Sequence, residues 1–327
     1  MTEEKAGPVR MTETTAGGVL WRVGIAATLV MTSAVSGCSP VGDLPSSPPS
    51  ATPSLQTQPG VHAFSFYSPA LKKNMAVDVY LPPGYNTARR YPVLYLFHGK
   101  DGRADTWMDG AIGINHAADQ LIASGQIQPL IIVSPQMDNG YGINTAAAAT
   151  AVGGYNRGMY EDYIIRDLVP YIDRHYSTAA DSAHRYIGGL SMGGFAALHD
   201  AFLHPDLFSK VGVISAALWV GEPPAELKWI YPDRATQAAR DPITIAAHRN
   251  LGSLSILMIE GKSDPFLAAD RTLYQTLQSR GDLVVYREYP GAHNYGFWRA
   301  HAAEMLTFFA DKEPDLALRG AVKSSMV

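Results

Sequence analysis

The feature that most constrains this chain is the segment Gly189-Leu190-Ser191-Met192-Gly193, in which a serine stands between two glycines. It follows the predicted strand Arg185–Leu190 and precedes the predicted helix Gly193–Leu203. A sharp turn from a strand into a helix strains the backbone of its central residue and leaves room only for very small flanking side chains. The pattern therefore predicts a turn that holds the Ser191 hydroxyl exposed above a sheet, as a nucleophile.

Apolar runs alternate with helical patterns on both sides of this turn. The predicted strands are Tyr91–Phe97, Leu130–Ser134, Arg185–Leu190, Val211–Ser215, Ser255–Ile259 and Leu283–Tyr289, and the helical or amphipathic segments are Tyr160–Tyr176, Gly193–Leu203, Arg271–Ser279 and Phe297–Phe309. Strands separated by helices form a parallel sheet that is covered on both faces. His62–Tyr67 and Met75–Leu81 flank a polar turn and predict an antiparallel pair. The sequence thus predicts an α/β fold: a mostly parallel twisted sheet with an antiparallel N-terminal edge and helices on both faces.

A serine hydroxyl becomes nucleophilic only beside a base, and the base needs an acid that orients it. His293 is the predicted base, since it follows Gly291 on the loop after the last predicted strand. Asp264 is the predicted acid, because it follows the strand Ser255–Ile259 at the carboxyl edge, where catalytic groups gather. The resulting order serine, acid, histidine is that of the α/β-hydrolase fold. Glu260, at the end of the same strand, is the alternative acid.

A tetrahedral intermediate carries an oxyanion, which requires two preorganised N–H donors. One predicted donor is the backbone of Met192, the residue after the nucleophile. The other is predicted in the loop His98–Gly102, which follows the strand Tyr91–Phe97. The backbone N–H of Lys100 is the preferred donor of this loop, with Gly99 as the alternative.

The first part of the chain has the pattern of an export signal. Arg22 precedes the apolar run Val23–Val35, which is too short to span a bilayer but has the length of a secretory signal core. The run ends in Val35-Ser36-Gly37-Cys38, which resembles the lipobox of bacterial lipoproteins. That resemblance implies cleavage before Cys38, lipidation of Cys38 and attachment to the extracytoplasmic face of the cell membrane. The alternative is an ordinary signal peptide that contains a cysteine, and translation from Met11 would leave a more usual signal length.

The predicted domain organisation has four parts. Residues 1–37 form the signal peptide, and residues 38–60 form a linker rich in proline and serine that cannot bury enough apolar surface to order itself. Residues 61–312 form the catalytic domain. Residues 313–327 lack sustained periodicity and are predicted to be a flexible tail.

Composition excludes several other classes of protein. The chain of 327 residues has a formal net charge of −4 and no basic stripe, which argues against binding of nucleic acid. Its single cysteine rules out a disulfide within the chain and a zinc cluster built on cysteines. The phosphate-binding loop and the dinucleotide fingerprint are both missing from the sequence. No metal and no cofactor is therefore predicted, and the predicted partners are a small-molecule or envelope ester and the membrane.

Several motifs spread over residues 62–310 occur together in one known family. They are His98-Gly99-Lys100-Asp101-Gly102 with Trp107 downstream, Tyr160–Ile172, Gly189–Gly194, His204–Phe208, Gly261–Pro265, and Gly291-Ala292-His293 with Trp298. Together they resemble the esterase family that includes S-formylglutathione hydrolase, enterochelin esterase, feruloyl-type esterases and the antigen 85 mycolyltransferases. The resemblance implies the α/β-hydrolase fold and hydrolysis of a carboxylic ester, with Ser191, Asp264 and His293 as the catalytic triad.

Two departures from the family pattern bear on the reaction. The family often has tryptophan two residues after the catalytic histidine, where this chain has Tyr295. The antigen 85 branch is expected to use glutamate as its acid, whereas this chain offers Asp264, so hydrolysis is favoured over mycolyl transfer. An acyltransferase that acts on a sugar or glycolipid is the first alternative. A catalytically silent binding protein on the same fold is the second, and a peptidase is disfavoured because no gating domain is present.

The predicted substrate pocket is built from large apolar side chains. The residues predicted to line it are Trp107, Met108, Trp219, Trp229 and Trp298, and core packing is the alternative for each. The segment Leu218–Pro232 combines tryptophans with prolines and weak helical periodicity. It is predicted to form a lid or a pocket wall.

Overall fold

The computed structural model describes residues 57–108, 110–146, 150–252 and 254–310. The predicted signal peptide, Cys38, most of the predicted linker and the predicted tail lie outside the described residues. In the described ranges, no helix combines the length and the hydropathy that a membrane span requires.

An eight-stranded mixed sheet forms the centre of the described chain. In chain order the strands are β1 Gly60–Ser68, β2 Lys73–Leu81, β3 Val93–Phe97, β4 Ile131–Pro135, β5 Thr150–Val152, β6 Tyr155–Arg157, β7 Arg185–Leu190, β8 Lys210–Ile214, β9 Ser255–Gly261 and β10 Leu283–Tyr289. The order across the sheet is β1-β2-β4-β3-β7-β8-β9-β10, while β5 and β6 pair separately. The β1–β2 and β2–β4 pairs are antiparallel and the remaining pairs of the large sheet are parallel. These pairings confirm the predicted sheet and its antiparallel N-terminal edge.

Helices cover both faces of this sheet. They are α1 Ile114–Ala123, α2 Tyr160–Asp162, α3 Val169–His175, α4 Met192–Leu203, α5 Arg234–Arg240, α6 Pro242–His248, α7 Leu267–Ser279 and α8 Tyr295–Ala310. Successive side chains of a strand point to opposite faces, and in β3 Tyr95 packs in the same core as Phe195 of α4. Its neighbour Leu94 packs in the core on the other face, with Ile114 of α1 and Phe309 of α8. Because both faces are buried, the central strands are continuous apolar runs rather than alternating ones.

The helix predicted at Tyr160–Tyr176 is not uniform. A short α-helical turn, α2, is followed by a π-helical stretch at Tyr163–Leu168 and then by α3, and Tyr176 is already extended. Pro170 lies in the first turn of α3. Because proline has no N–H, it cannot donate the usual bond to the carbonyl four residues earlier, and the helix widens before it.

A polar cluster joins α2 to the far end of α4. Oε1 of Glu161 lies 3.0 Å from Nε2 of His204, and its Oε2 lies 3.7 Å from Nε2 of His199. Burial alone would raise the pKa of Glu161, but the hydrogen bond from His204 and the nearby imidazole of His199 outweigh it and lower the pKa to about 2. This contact joins two of the motifs noted in the sequence, Tyr160–Ile172 and His204–Phe208.

The depressed pKa of Glu161 predicts a loss of stability in acid. A carboxyl whose pKa is lower in the folded state stabilises the fold above its unfolded pKa, and this contribution disappears as the pH falls through the folded pKa. Urea unfolding should show that Glu161→Gln lowers the free energy of unfolding at about pH 6, and that the deficit shrinks between about pH 4.5 and about pH 2. A deficit that is the same at all these pH values would contradict the assignment.

Candidate active site

Ser191 occupies the tight turn between β7 and α4. Ser191 has φ 54° and ψ −120°, a conformation that costs a non-glycine residue free energy. A Cβ at Gly189 would lie 2.3 Å from the Gly193 carbonyl oxygen, and one at Gly193 would lie 2.2 Å from the Phe97 carbonyl oxygen. Larger residues at either position would force the backbone apart, which is the physical reason for the two glycines.

The structure brings Ser191, His293 and Asp264 into one hydrogen-bonded chain. Oγ of Ser191 lies 2.8 Å from Nε2 of His293, and Nδ1 of His293 lies 2.9 Å from Oδ2 of Asp264. The imidazole is held edge-on between the rings of Phe266 and Trp298, with centroids 5.2 and 5.0 Å away. These contacts place a base against the serine hydroxyl and a carboxylate behind the base.

Asp264 is built to remain ionised. Its side chain is fully buried, and Oδ1 accepts a hydrogen bond of 3.0 Å from the N–H of Phe266. Burial alone would raise the pKa of the Asp264 carboxyl, but the hydrogen bonds from His293 and from the Phe266 N–H hold it below its ordinary value. The carboxylate can therefore orient the imidazole and stabilise its cationic form.

Glu260, the alternative acid, lies within β9 and is also buried, at 1 % exposure. Burial, together with the charges of Asp270 and Asp264, raises its pKa far above the ordinary value. Its carboxyl is therefore neutral at neutral pH and cannot stabilise an imidazolium. Electrostatics favour Asp264 over Glu260 as the acid.

The predicted oxyanion donors lie on two sides of the nucleophile. Met192 is the first residue of α4, so its N–H lies at the positive end of the helix. Gly99 and Lys100 line the same cleft as Ser191, and a Cβ at Gly99 would lie 3.3 Å from Cβ of Ser191. The side chain of Lys100 is paired with Asp101, with Nζ 2.7 Å from Oδ2, and Nζ lies 5.4 Å from the centre of the Tyr155 ring in the cleft wall.

A cleft of about 460 Å³ opens over Ser191 and His293. Aromatic side chains dominate its wall, and those present are Tyr141, Tyr155, Trp219, Phe266, Tyr295 and Trp298. Pro224, Glu226 and Leu227 also line it, so the segment Leu218–Pro232 is a pocket wall, as one of the two sequence predictions proposed. Such a mostly apolar cleft with few polar groups suits a small organic ligand.

The predictions for Trp107 and Met108 were wrong. Trp107 is fully buried in the core between the sheet and α8, and its Nε1–H donates 3.0 Å to the Phe97 carbonyl oxygen. Met108 packs in the same core at 1 % exposure. Both lie below the loop that follows β3 and not in the cleft, so they support the loop. Trp229 stands one layer behind the cleft wall, 6.1 Å from Tyr141.

Tyr141, Tyr155 and Phe266 line the cleft but were not predicted from the sequence. For Tyr155 a usable signal existed, because it directly follows Gly153-Gly154, and both glycines have positive φ in the turn between β5 and β6. Two glycines between short strand-forming runs predict a hairpin. For Tyr141 and Phe266 we find no comparable local signal.

The titratable side chains around the site do not suggest a metal centre. Among the residues that the structure describes, no group of three or more His, Cys, Asp or Glu side chains could hold a metal ion.

The model of the Esterase family matches residues 68–309, which include every element from β2 to the last turns of α8. This chain belongs to that family. Its fold is accordingly the α/β-hydrolase fold, in agreement with the sheet order described above.

Among curated relatives, the endo-1,4-beta-xylanase/feruloyl esterase of Xylanibacter ruminicola is 30% identical over 231 residues. The match covers 67% of this chain and 31% of that protein, so the chain spans about a third of the relative's length. A solved ferulic acid esterase shares 26% identity, with a TM-score of 0.66 over 78% of this chain and 99% of that one. S-formylglutathione hydrolase of Staphylococcus aureus is 19% identical with a TM-score of 0.60, covering 76% of this chain and 98% of that one, and this likeness concerns the fold alone.

Proposed function

We propose that this member of the Esterase family is a serine carboxylic-ester hydrolase that acts through an acyl-enzyme. The observation that carries the proposal is the continuous chain from Ser191 Oγ through His293 to the buried Asp264, with distances of 2.8 and 2.9 Å. Hydrogen bonds of this length are short enough for proton transfer from the hydroxyl to the imidazole.

The proposed reaction has two halves. Ser191 Oγ attacks the ester carbonyl carbon while His293 Nε2 accepts the hydroxyl proton, and the N–H groups of Met192 and Lys100 stabilise the oxyanion. Collapse of the intermediate breaks the ester C–O bond, and His293 returns its proton to the leaving alcohol. Water, activated by the same imidazole, then hydrolyses the acyl-enzyme to a carboxylic acid and free Ser191. Asp264 remains ionised throughout and stabilises the imidazolium.

The cleft supports an acyl group that carries an aromatic ring. Tyr141, Trp219 and Phe266 form a contiguous wall, with ring centroids about 6 Å apart, next to the imidazole of His293. Aromatic rings in such a wall make offset or edge-on contacts with a ring of the ligand. The feruloyl and ferulic acid esterases among the relatives agree with this substrate class.

Shortening Trp219 tests this substrate class. Trp219→Ala should raise KM for methyl ferulate about tenfold, because one lost aromatic contact is worth about 1.4 kcal/mol, and should change hydrolysis of 4-nitrophenyl acetate little. Tyr67→Ala serves as the control, since Tyr67 is 59% exposed on β1. An equal loss on both esters would show that Trp219 supports the site rather than the acyl group.

The wild-type enzyme itself distinguishes the remaining alternatives. A preference for octanoate over ferulate would point to an aliphatic acyl chain, and transfer of the acyl group to an added polyol would favour the acyltransferase.

The N-terminal pattern supports a location on the extracytoplasmic face of the membrane, with a lipid on Cys38. Lipid chains contribute about 0.8 kcal/mol for each buried methylene, so several chains hold a protein firmly. The full-length protein should fractionate with membranes, and Cys38→Ala should release it into the soluble fraction while its specific esterase activity stays the same. If the wild-type protein appears in the soluble fraction to the same extent as Cys38→Ala, it is an ordinary secreted enzyme.

A further inference from the structure

His98 lies in the loop that follows β3. It is not part of the hydrogen-bonded series of Ser191, His293 and Asp264. Its side chain is fully buried. Nδ1 lies 2.7 Å from the carbonyl oxygen of Gly99, and Nε2 lies 2.9 Å from the backbone N of Met137. One of its partners is thus a pure acceptor and the other a pure donor.

These partners determine the protonation of the imidazole. A carbonyl oxygen cannot donate, so Nδ1 must carry the proton, and a backbone N–H cannot accept, so Nε2 must be bare. In the cationic form of His98, the Nε2–H would face the N–H of Met137, and neither donor would have an acceptor. Burial also lowers the pKa of His98, which keeps the ring neutral.

The Gly99 carbonyl is held by two donors at once. It accepts from Nδ1–H of His98 and, at 3.0 Å, from the N–H of Gly102. The Gly99 carbonyl and the Lys100 N–H belong to one planar trans peptide and point in opposite directions. Because the Gly99 carbonyl is held on the side of His98, the Lys100 N–H is directed to the opposite side of the peptide, where Gly99 borders Ser191.

The same contacts explain the spacing of the motif His98-Gly99-x-x-Gly102. A Cβ at Gly102 would lie 2.8 Å from Nδ1 of His98 and 2.9 Å from the Gly99 carbonyl oxygen. A side chain at this position would displace the imidazole from the carbonyl. Gly102 is needed so that the histidine can reach the peptide.

We propose that His98 is a positioning residue, whose Nδ1–H holds the Gly99–Lys100 peptide so that the Lys100 N–H faces the oxyanion. This inference rests on the proposed ester hydrolysis, because an oxyanion forms only in that chemistry. An N–H that serves the tetrahedral species, and not the bound ester, contributes to kcat and not to KM.

Two substitutions separate the hydrogen bond from the bulk of the ring. His98→Ala should lower kcat for 4-nitrophenyl acetate on the order of 10- to 100-fold with KM little changed, somewhat less than the loss of a donor outright. His98→Asn places an amide N–H near the position of Nδ1 and should restore kcat to within a few-fold. Inhibition by phenylboronic acid, which forms a tetrahedral adduct on the serine, should weaken in the alanine variant in parallel with kcat.

His199→Ala is the matched control. His199 is as deeply buried, at 1 % exposure, and its Nδ1 lies 2.9 Å from the Arg240 carbonyl oxygen, away from the loop. The His199→Ala substitution should lower the thermal midpoint of unfolding. It should leave kcat and the affinity for phenylboronic acid within a few-fold of the wild-type values. If His199→Ala reduces kcat as much as His98→Ala, the effect of His98 is one of general stability and the inference is overturned.

A measurement without substitution covers the case in which His98 variants do not fold. In the ¹⁵N-histidine-labelled enzyme, the ring that is assigned to His98 by its contact with the Met137 N–H should be neutral near neutral pH, with its proton on Nδ1. A proton on Nε2 at His98 would overturn the inference. An unchanged enzyme that neither hydrolyses the ester nor binds phenylboronic acid would instead refute the proposed function.

Discussion

Ser191→Ala is expected to lower kcat for 4-nitrophenyl acetate on the order of 10⁵- to 10⁶-fold, because no other group can form the acyl-enzyme. KM should change little, since the hydroxyl contributes mainly after the ester is bound. Steady-state hydrolysis, combined with labelling by a fluorophosphonate and mass spectrometry of the peptide that carries Ser191, measures both effects. Labelling should occur in the unchanged enzyme and disappear in the variant.

Ser209→Ala is the control for this substitution. The Ser209 hydroxyl donates 3.1 Å to the Ala183 carbonyl oxygen, before β8 and at the opposite end of the sheet from the cleft. Its rate should equal that of the unchanged enzyme. Similar background rates for Ser191→Ala and for the unchanged enzyme would remove ester hydrolysis as the function and leave acyl transfer and silent binding to be tested.

Asp264→Asn is expected to lower kcat about 10⁴-fold while the fold is retained. An amide carries no charge to stabilise the imidazolium, and it can donate to Nδ1 of His293, which selects the tautomer that cannot deprotonate Ser191. Glu260→Gln tests the alternative acid in the same strand-to-loop region. Since Glu260 is already neutral, this variant should retain kcat within a few-fold. The opposite ranking of the two variants would assign the acid to Glu260.

The parts of the site that were predictable from sequence are those defined locally. The elbow at Ser191 depends on residues within a few positions of it, and β7 runs from Arg185 to Leu190 as predicted. His293 and Asp264 could be chosen because each follows a strand at the carboxyl edge and the chain order restricts the choice. The helix α7 begins at Leu267, four residues before the predicted amphipathic segment Arg271–Ser279.

The cleft could not be assembled in the same way, because its walls come from segments far apart in the chain. Tyr141 lies on a loop after β4, Tyr155 on the hairpin and Trp219 after β8, and only the three-dimensional fold brings them together. Trp107 illustrates the opposite error. A tryptophan whose indole N–H meets a buried carbonyl cannot be distinguished in sequence from one that faces a ligand.

Helices α1, α5 and α6 were not predicted, and the two short ones, α5 and α6, each carry a start signal. The side chain of Asp233 accepts from the N–H of Thr236 at 2.8 Å, and that of Asp241 accepts from the N–H of Thr244 at 3.0 Å. Aspartate three residues before such an N–H is a favoured N-cap. Seven residues are too few for a periodic pattern to appear, so only the caps mark these helices.

The close approach of Gly193 to the Phe97 carbonyl oxygen has a consequence for engineering. The distance between the nucleophile and the loop of Lys100 is set by main-chain atoms that touch directly, whereas the walls of the cleft are side chains on separate loops. Substitutions at Tyr141 or Trp219 can therefore reshape what the cleft accepts without moving the reacting groups, whereas Phe266 also packs against the imidazole of His293. Libraries aimed at new acyl groups should vary Tyr141 and Trp219 and leave the two touching backbones untouched.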